Sequence, residues 1–319
     1  MALPKTKPGR ASSVPPARGA GVALSREFLK KLRQIELSTR KIVNTTFVGE
    51  YRSTFKGTGL EFVDVREYVA GDDIRAIDWK VTARTDRPYV RKFVEQRELT
   101  VILCVDASGS GHFGTRSQFK LEQSAQVAAT IAFSAVSNND KVGLLFFTDQ
   151  VERFVPPRKG KQHVLRLVRD ILLFEPRHRG TAPAAALEFV LHILKRRAIV
   201  FLVSDFMGPG YAPDAVRTPL GIVARKHDLV AIPITDPAEL ELPQVGLVDL
   251  EDMESGERVT VDTSNRALRR RYHEHRTAQI ARRDRLFTQL GIDSIPLRTD
   301  EDFTPRLHKF FQLRARRFH

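Results

Sequence analysis

The residues best placed to do chemistry are Asp106, Ser108 and Ser110. They follow the apolar run Val101-Ile102-Leu103-Cys104-Val105 and alternate with Ala107 and Gly109. An unbroken apolar run bounded by Gly and Ser reads as a strand buried on both faces. Asp106 then stands at the carboxyl end of that strand, the edge of an open α/β sheet at which ligands bind. A carboxylate and two hydroxyls are hard oxygen groups, the donors that suit Mg²⁺ or Mn²⁺. Two further groups can join them. Asp205 follows a second run, Ala198 to Ser204, and Thr181 lies at or just before a helix that begins near Pro183. If the two apolar strands are neighbours, Asp106 and Asp205 flank one crevice, and Ser108, Ser110 and Thr181 add three hydroxyls to it. Mg²⁺ takes near-octahedral oxygen coordination and usually keeps waters, so such a site leaves a position open for an outside acid.

Other chemistries fit less well. Phosphoryl transfer of the haloacid-dehalogenase kind needs a second acid two residues after the first Asp, and that place is Ser108. A serine-hydrolase elbow needs G-x-S-x-G, which is absent around Ser108 and Ser110. Gly109, Gly111 and Gly114 spell G-x-G-x-x-G, but Asp106 and the serines overlay it and no acid follows in the expected place. The nine histidines make no metal site; His273 and His275 are two apart on a helix and point to different faces. Asp72, Asp73 and Asp78 can be read as a carboxylate cluster for acid/base work. The same segment holds Arg66, Arg75, Arg84 and Arg91, so the preferred reading is hydrogen-bonded ion pairs that brace a small module, with Trp79 as a packing anchor.

The elements that must position these residues alternate from residue 99 onward. Strands are predicted at 99–105, 141–147, 151–155, 198–204, 228–234 and 292–297, and helices at 117–137, 161–174, 183–195, 213–226 and 302–314. That alternation implies an α/β fold, a mostly parallel sheet with helices on both faces. The short gap between 147 and 151 predicts one hairpin, and two strand-like runs in 246–262 predict a second. Residues 265–290 form a long Arg-rich helix. Before residue 99 the chain divides into a Pro, Gly, Ala and Ser-rich tail, 1–22, predicted to be disordered, and a small αβ module, 23–98. The module opens with a helix carrying Phe28, Leu29, Leu32 and Ile35 and holds β-like pieces at 45–48, 61–68 and 89–94.

Composition excludes several classes. The chain has 319 residues, 42% hydrophobic and 28% charged, which suits a packed globular protein. No stretch approaches ~18 uncharged apolar residues, and the basic N-terminus lacks the apolar core of a secretory signal. One cysteine, Cys104, lies inside the apolar strand, which fits a core role and a reducing cytoplasm. The net charge of +14 is unevenly placed: +4 in residues 1–20, +4 in 21–99, −2 in 100–262 and +8 in 263–319. The ends are therefore basic and the Asp-Ser-Ser region is near neutral. Basic ends are compatible with nucleic acid or anionic lipid, though aromatics are not interleaved with them for base stacking.

Two sets of residues carry a family resemblance. Asp106-x-Ser108-x-Ser110, then Thr181, then Asp205 resembles the five-residue metal-ion-dependent adhesion site of von Willebrand factor A domains, with all five positions in chain order. That likeness implies a sheet of six strands with one antiparallel. It also implies an ion held by the three hydroxyls, with the carboxylates bound directly or through water, and a partner's Glu or Asp in the open position. The second set lies in Gly57 to Arg97: Gly59, Phe62, Arg66-Glu67-Tyr68, Gly71-Asp72-Asp73-Ile74-Arg75, Ile77-Asp78-Trp79, Ala83-Arg84, Val90-Arg91 and Glu95. It is similar to the signature of the bacterial domain-of-unknown-function family 58. The likeness runs on through Asp236-Pro237 to about residue 315. Members of that family join such a segment to a von Willebrand A-like domain and are often encoded beside MoxR-type AAA+ ATPases. The resemblance thus implies a non-enzymatic, Mg²⁺-dependent adaptor in the cytoplasm that binds a client protein and works with such an ATPase. The alternative, carried by charge alone, is nucleic-acid or anionic-membrane binding through the N-terminal tail and the 266–285 arginines.

Overall fold

A computed structural model describes residues 33, 35, 37, 39, 51, 54, 55, 61–85, 87–94, 98–109, 120–251 and 256–317. The predicted disordered tail at 1–22, the strand-like piece at 45–48 and the helix start at 117 lie outside these residues, as does Ser110.

The family-signature segment folds locally. Strand β1 (Glu61–Glu67) pairs antiparallel with β2 (Tyr89–Val94), and between them lie a 3-10 turn at Ile74–Ala76 and helix α1 (Trp79–Thr85). One of its acids forms the ion pair that the sequence suggested. Asp72 meets the Arg66 guanidinium with two oxygens, at 2.8 and 2.6 Å. Asp73 instead accepts from the Arg75 N–H at 2.9 Å, and Asp78 from the Lys80 and Val81 N–H groups at 3.0 and 3.3 Å. Short Asp side chains compete well for the open N–H groups at a turn or helix start. Trp79 is no packing anchor: it is 66% exposed, because it opens α1 on the solvent side.

The main sheet begins with β3 (Thr100–Asp106), followed by α2 (Lys120–Ser137), β4 (Lys141–Phe147), β5 (Val151–Arg158), α3 (Lys161–Leu172), α4 (Pro183–Ile193), β6 (Ile199–Ser204), α5 (Pro213–Lys226) and β7 (Asp228–Thr235). A hairpin, β8 (Leu247–Glu251) and β9 (Arg258–Asp262), precedes the long helix α6 (Arg266–Leu290). The chain then adds β10 (Asp293–Ser294), β11 (Leu297–Arg298) and α7 (Thr304–Arg317). Strand order is β10-β7-β6-β3-β4-β5, with β11 also beside β7, and β5 is the antiparallel member. This is a mixed α/β fold with a central, mostly parallel sheet, in the six-position arrangement that the resemblance implied. The single strand predicted at 292–297 is split in two because Pro296, which lacks an N–H, interrupts it.

Alternation along β3 divides the core. Val101, Leu103 and Val105 face α2, α3 and α7, whereas Ile102 and Cys104 face α4, α5 and α6. Burial pushes the Cys104 thiol far above its ordinary range, so it behaves as a small hydrophobe. Helix α6 is held at both ends. Asn265 accepts from the Ala267 and Leu268 N–H groups at 3.0 and 3.2 Å, and Gly291 closes the helix in the left-handed region at φ 67°. Within it only Leu286 and Phe287 are buried, so most of its arginines face water. Among the described residues no helix is long and apolar enough to cross a membrane.

Candidate functional site

Asp106 and Asp205 reach the same crevice because their strands are neighbours. β3 pairs with β6 in parallel, Val105 opposite Val203, so each chain leaves its strand at the same edge of the sheet. Each carboxylate is pinned by the turn that follows it. The Ser108 N–H donates to Asp106 Oδ1 at 3.0 Å, and the Met207 N–H donates to Asp205 Oδ1 at 3.0 Å. Asp106 Oδ2 also accepts from the Ser204 hydroxyl at 2.6 Å and from the Tyr211 phenol at 3.3 Å. Ser108 and Thr181 are buried nearby. Thr181 is brought in by two backbone contacts. The Gly109 N–H donates to the Arg179 carbonyl at 3.2 Å, and the Gly210 backbone packs against the Thr181 carbonyl, one residue from Tyr211. Four of the five residues singled out in the sequence therefore lie on adjoining loops. Ser110, the fifth, is outside the described residues.

The sequence reading missed the other half of the cluster. Lys120, at the first described turn of α2, is buried and donates to Asp205 Oδ2 at 3.0 Å and to Glu239 Oε1. Glu239 is held in a capping box: its Oε2 accepts from the Asp236 N–H at 3.0 Å, while Asp236 accepts from the Ala238 N–H and the Thr299 hydroxyl at 2.9 and 2.7 Å. That box was legible in Asp236-Pro237-Ala238-Glu239. The reach of Glu239 to Lys120 was not, because 119 residues separate them. Tyr211 and Ser204 were likewise passed over, having no motif of their own.

The electrostatics favour a cation. Burial, and then the nearby Asp205 charge, push Asp106 up to about 6, against the hydrogen bonds from Ser204 and Ser108. Burial works against the Lys120 charge, but Asp205 and Glu239 outweigh it and hold its pKa above the ordinary value. Burial also raises Glu239, which Lys120 opposes. With one ammonium against Asp106, Asp205 and Glu239, the ionised cluster carries two net negative charges. Among the described residues no group of three or more His, Cys, Asp or Glu side chains is arranged to hold a metal. A metal here must therefore use hydroxyls and water as well as carboxylates. The donor set, all hard oxygen and doubly negative, fits a divalent hard cation on those terms.

The Asp205 loop is also strained. Phe206 adopts φ 57°, a region that non-glycine residues rarely enter, while its ring packs against Tyr211 and Phe287 at 5.0 and 5.1 Å. Such strain persists only where the surroundings over-determine it, and it collects at functional sites.

Known proteins are similar to this chain in overall fold and in sequence. A crystal structure of the conserved hypothetical protein BatB from Bacteroides thetaiotaomicron is similar over 68% of this chain and 99% of its own, with 16% identity and a TM-score of 0.43. The SpRpn10 VWA domain covers 66% of this chain and 94% of its own, with 9% identity and a TM-score of 0.37. In sequence, an uncharacterised protein of Mycobacterium tuberculosis (strain H37Rv) is 33% identical over 304 residues, 95% of this chain and 94% of its own. The family model described as protein of unknown function DUF58 matches residues 64–282, a span that takes in the signature segment from Arg66 onward and all five candidate positions. On a match over more than half its length and a relative aligned along nearly all of it, the chain belongs to the DUF58 family.

Proposed function

We propose that this protein is a non-enzymatic interaction module that binds a partner's carboxylate through Mg²⁺ or Mn²⁺ held in the Asp106–Asp205 crevice. One observation carries the reading: two carboxylates leave adjacent parallel strands into one crevice lined by buried hydroxyls, with two net negative charges left after Lys120 is counted. Ser108, Ser110 and Thr181 would hold the ion by their hydroxyls, with Asp106 and Asp205 bound directly or through water. Bound there, the ion supplies an electrophilic position for an outside acid. Ser204 and Tyr211 hold Asp106 in place, and Lys120 with Glu239 holds Asp205. As a member of its family, the chain would act in the cytoplasm as an adaptor that presents a client to a MoxR-type AAA+ ATPase, which spends ATP on remodelling it.

Calorimetric titration of Mg²⁺ into wild type and Asp106→Ala tests the site. Wild type is expected to bind, and Asp106→Ala to lose at least tenfold in affinity. Equal binding, or none in wild type, overturns the reading. The adaptor role predicts Mg²⁺-dependent co-purification with the ATPase that Asp205→Ala weakens. A complex unchanged in chelator overturns that role.

A further inference from the structure

A cleft of about 250 Å³ opens directly beside Asp205 and Tyr211, between the loop after β6 and helices α5 and α6. Its floor is apolar, formed by Phe206, Val216, Leu220, Leu286 and Phe287. Its rim is basic, formed by Arg276, Arg282 and Arg283 of α6. The cleft is smaller than the pockets that take drug-sized ligands, and suits one or two side chains.

The rim charge is largely uncancelled. Arg283 pairs with Asp284 at 2.9 Å. Arg276 donates to the Glu239 carbonyl and to Gln279, at 2.8 and 2.9 Å, neither of which is an acid. Arg282 is exposed and has no side-chain hydrogen bond or ion pair among the described residues. Helix α6 as a whole sets eight arginines against Glu274 and Asp284. An occupant that matches both surfaces brings an apolar side chain for the floor and carboxylates for the rim.

We propose that this cleft docks a short acidic segment of a partner protein. One bulky apolar side chain enters between Phe206 and Leu286, and flanking Asp or Glu carboxylates pair with Arg276 and Arg282. Nucleic acid is a poorer match. The floor rings Phe206 and Phe287 are buried edge to face against each other, at an interplanar angle of 77°, and offer no face on which a base can stack. A phosphodiester backbone also has no use for an apolar floor. The inference builds on the proposed function in one respect: Asp205 borders both sites, so one partner chain can place a carboxylate in the crevice and continue into the cleft. The floor and rim themselves need no cation.

Selection of phage-displayed random dodecapeptides on the full chain, in EDTA and in Mg²⁺, tests the cleft. In both buffers the enriched peptides are expected to carry Asp or Glu around a Leu, Ile, Phe or Met. A synthetic peptide from that pool should lose at least tenfold in affinity for Arg282→Glu and little for Arg271→Glu, on the same helix but outside the cleft. Equal losses for the two variants mean non-specific charge attraction and overturn the proposal. Acidic-apolar peptides enriched in EDTA and retained by Asp106→Ala support the cleft even where the cation reading fails. Enrichment seen only with Mg²⁺ and lost in Asp106→Ala overturns the cleft and leaves the cation reading standing. No acidic enrichment in either buffer overturns the cleft, as does stronger, salt-sensitive binding of a DNA oligonucleotide or anionic vesicles that Arg282→Glu abolishes.

Discussion

At Asp106 and Asp140, burial outweighs the hydrogen bonds that the carboxyl accepts. Asp140 shows it away from the site. It is 2% exposed and accepts from the Leu99 N–H at 2.8 Å. Burial nevertheless pushes its carboxyl up to about 6, outweighing that hydrogen bond. A carboxyl raised in the folded state favours the protonated form. Its penalty is therefore present above pH 6 and is relieved as the pH falls from 7 towards 5, before the unfolded carboxyl protonates near 4. His227 works the other way: burial, then Lys226 and Arg197, lower its pKa, so its contribution to stability is lost as the pH falls. The difference between wild type and Asp140→Asn separates the two. In chelator, the Asn variant is expected to gain about 1–2 kcal/mol on wild type between pH 5 and pH 7, read by urea unfolding. A difference that does not change with pH refutes this account of Asp140.

Among the elements, the 3-10 turn Pro209–Tyr211 matters most to the crevice, because it carries Tyr211 to Asp106 and abuts the loop before α4. Gly210 makes this possible. A Cβ there would lie 2.1 Å from the Thr181 carbonyl oxygen, a distance no real contact allows, and the obstacle is backbone that cannot swing aside. Gly210→Ala is expected to cost about 2–3 kcal/mol and to lower the melting temperature by several degrees. Gly221 in α5 is the matched control. A Cβ there meets only Leu290 Cδ2 at 3.4 Å, an ordinary contact. Gly221→Ala is expected to be neutral or to stabilise by up to about 1 kcal/mol through helix propensity. Differential scanning of the two variants checks this, and equal effects would show that the close approach is not what sets the turn.

At the level of the whole molecule, the early chain is tied to the last helix. Phe311 of α7 is fully buried against the rings of Tyr51 and Phe55, each 6.0 Å away, and Thr54 donates to its carbonyl at 2.9 Å. Phe55 also meets Phe201 of β6 edge-on at 6.1 Å. Arg314 lies over the Phe55 ring at 4.9 Å and pairs with Asp228 and Asp293, which links α7 to β7 and β10. Phe311→Ala is expected to destabilise the chain by about 3–5 kcal/mol, because the cavity would open where three parts of the chain meet. Trp79→Ala, on an exposed ring, is expected to cost less than about 0.5 kcal/mol. Urea unfolding of both variants checks the contrast. A large loss for Trp79→Ala would mean that its ring packs against another part of the chain.

What the sequence determined by itself is local. Apolar runs such as Val101 to Val105 and Ile199 to Val203 specify buried strands, and the residues that follow each run emerge at the sheet edge, which is why Asp106 and Asp205 were legible as residues of one crevice. Caps and turns, Asn265 and the box from Asp236 to Glu239 among them, are likewise written in a few adjacent positions. Tertiary structure alone decided what those positions meet. Lys120 finds Asp205 85 residues away and Glu239 119 away. Trp79 faces water, and the arginines of α6 rim an apolar cleft beside the crevice. The physical reason is one of range. Periodicity and capping depend on neighbours in sequence, whereas charge pairing, desolvation and cavity shape depend on which strands the topology makes adjacent, and that is a property of the whole sheet.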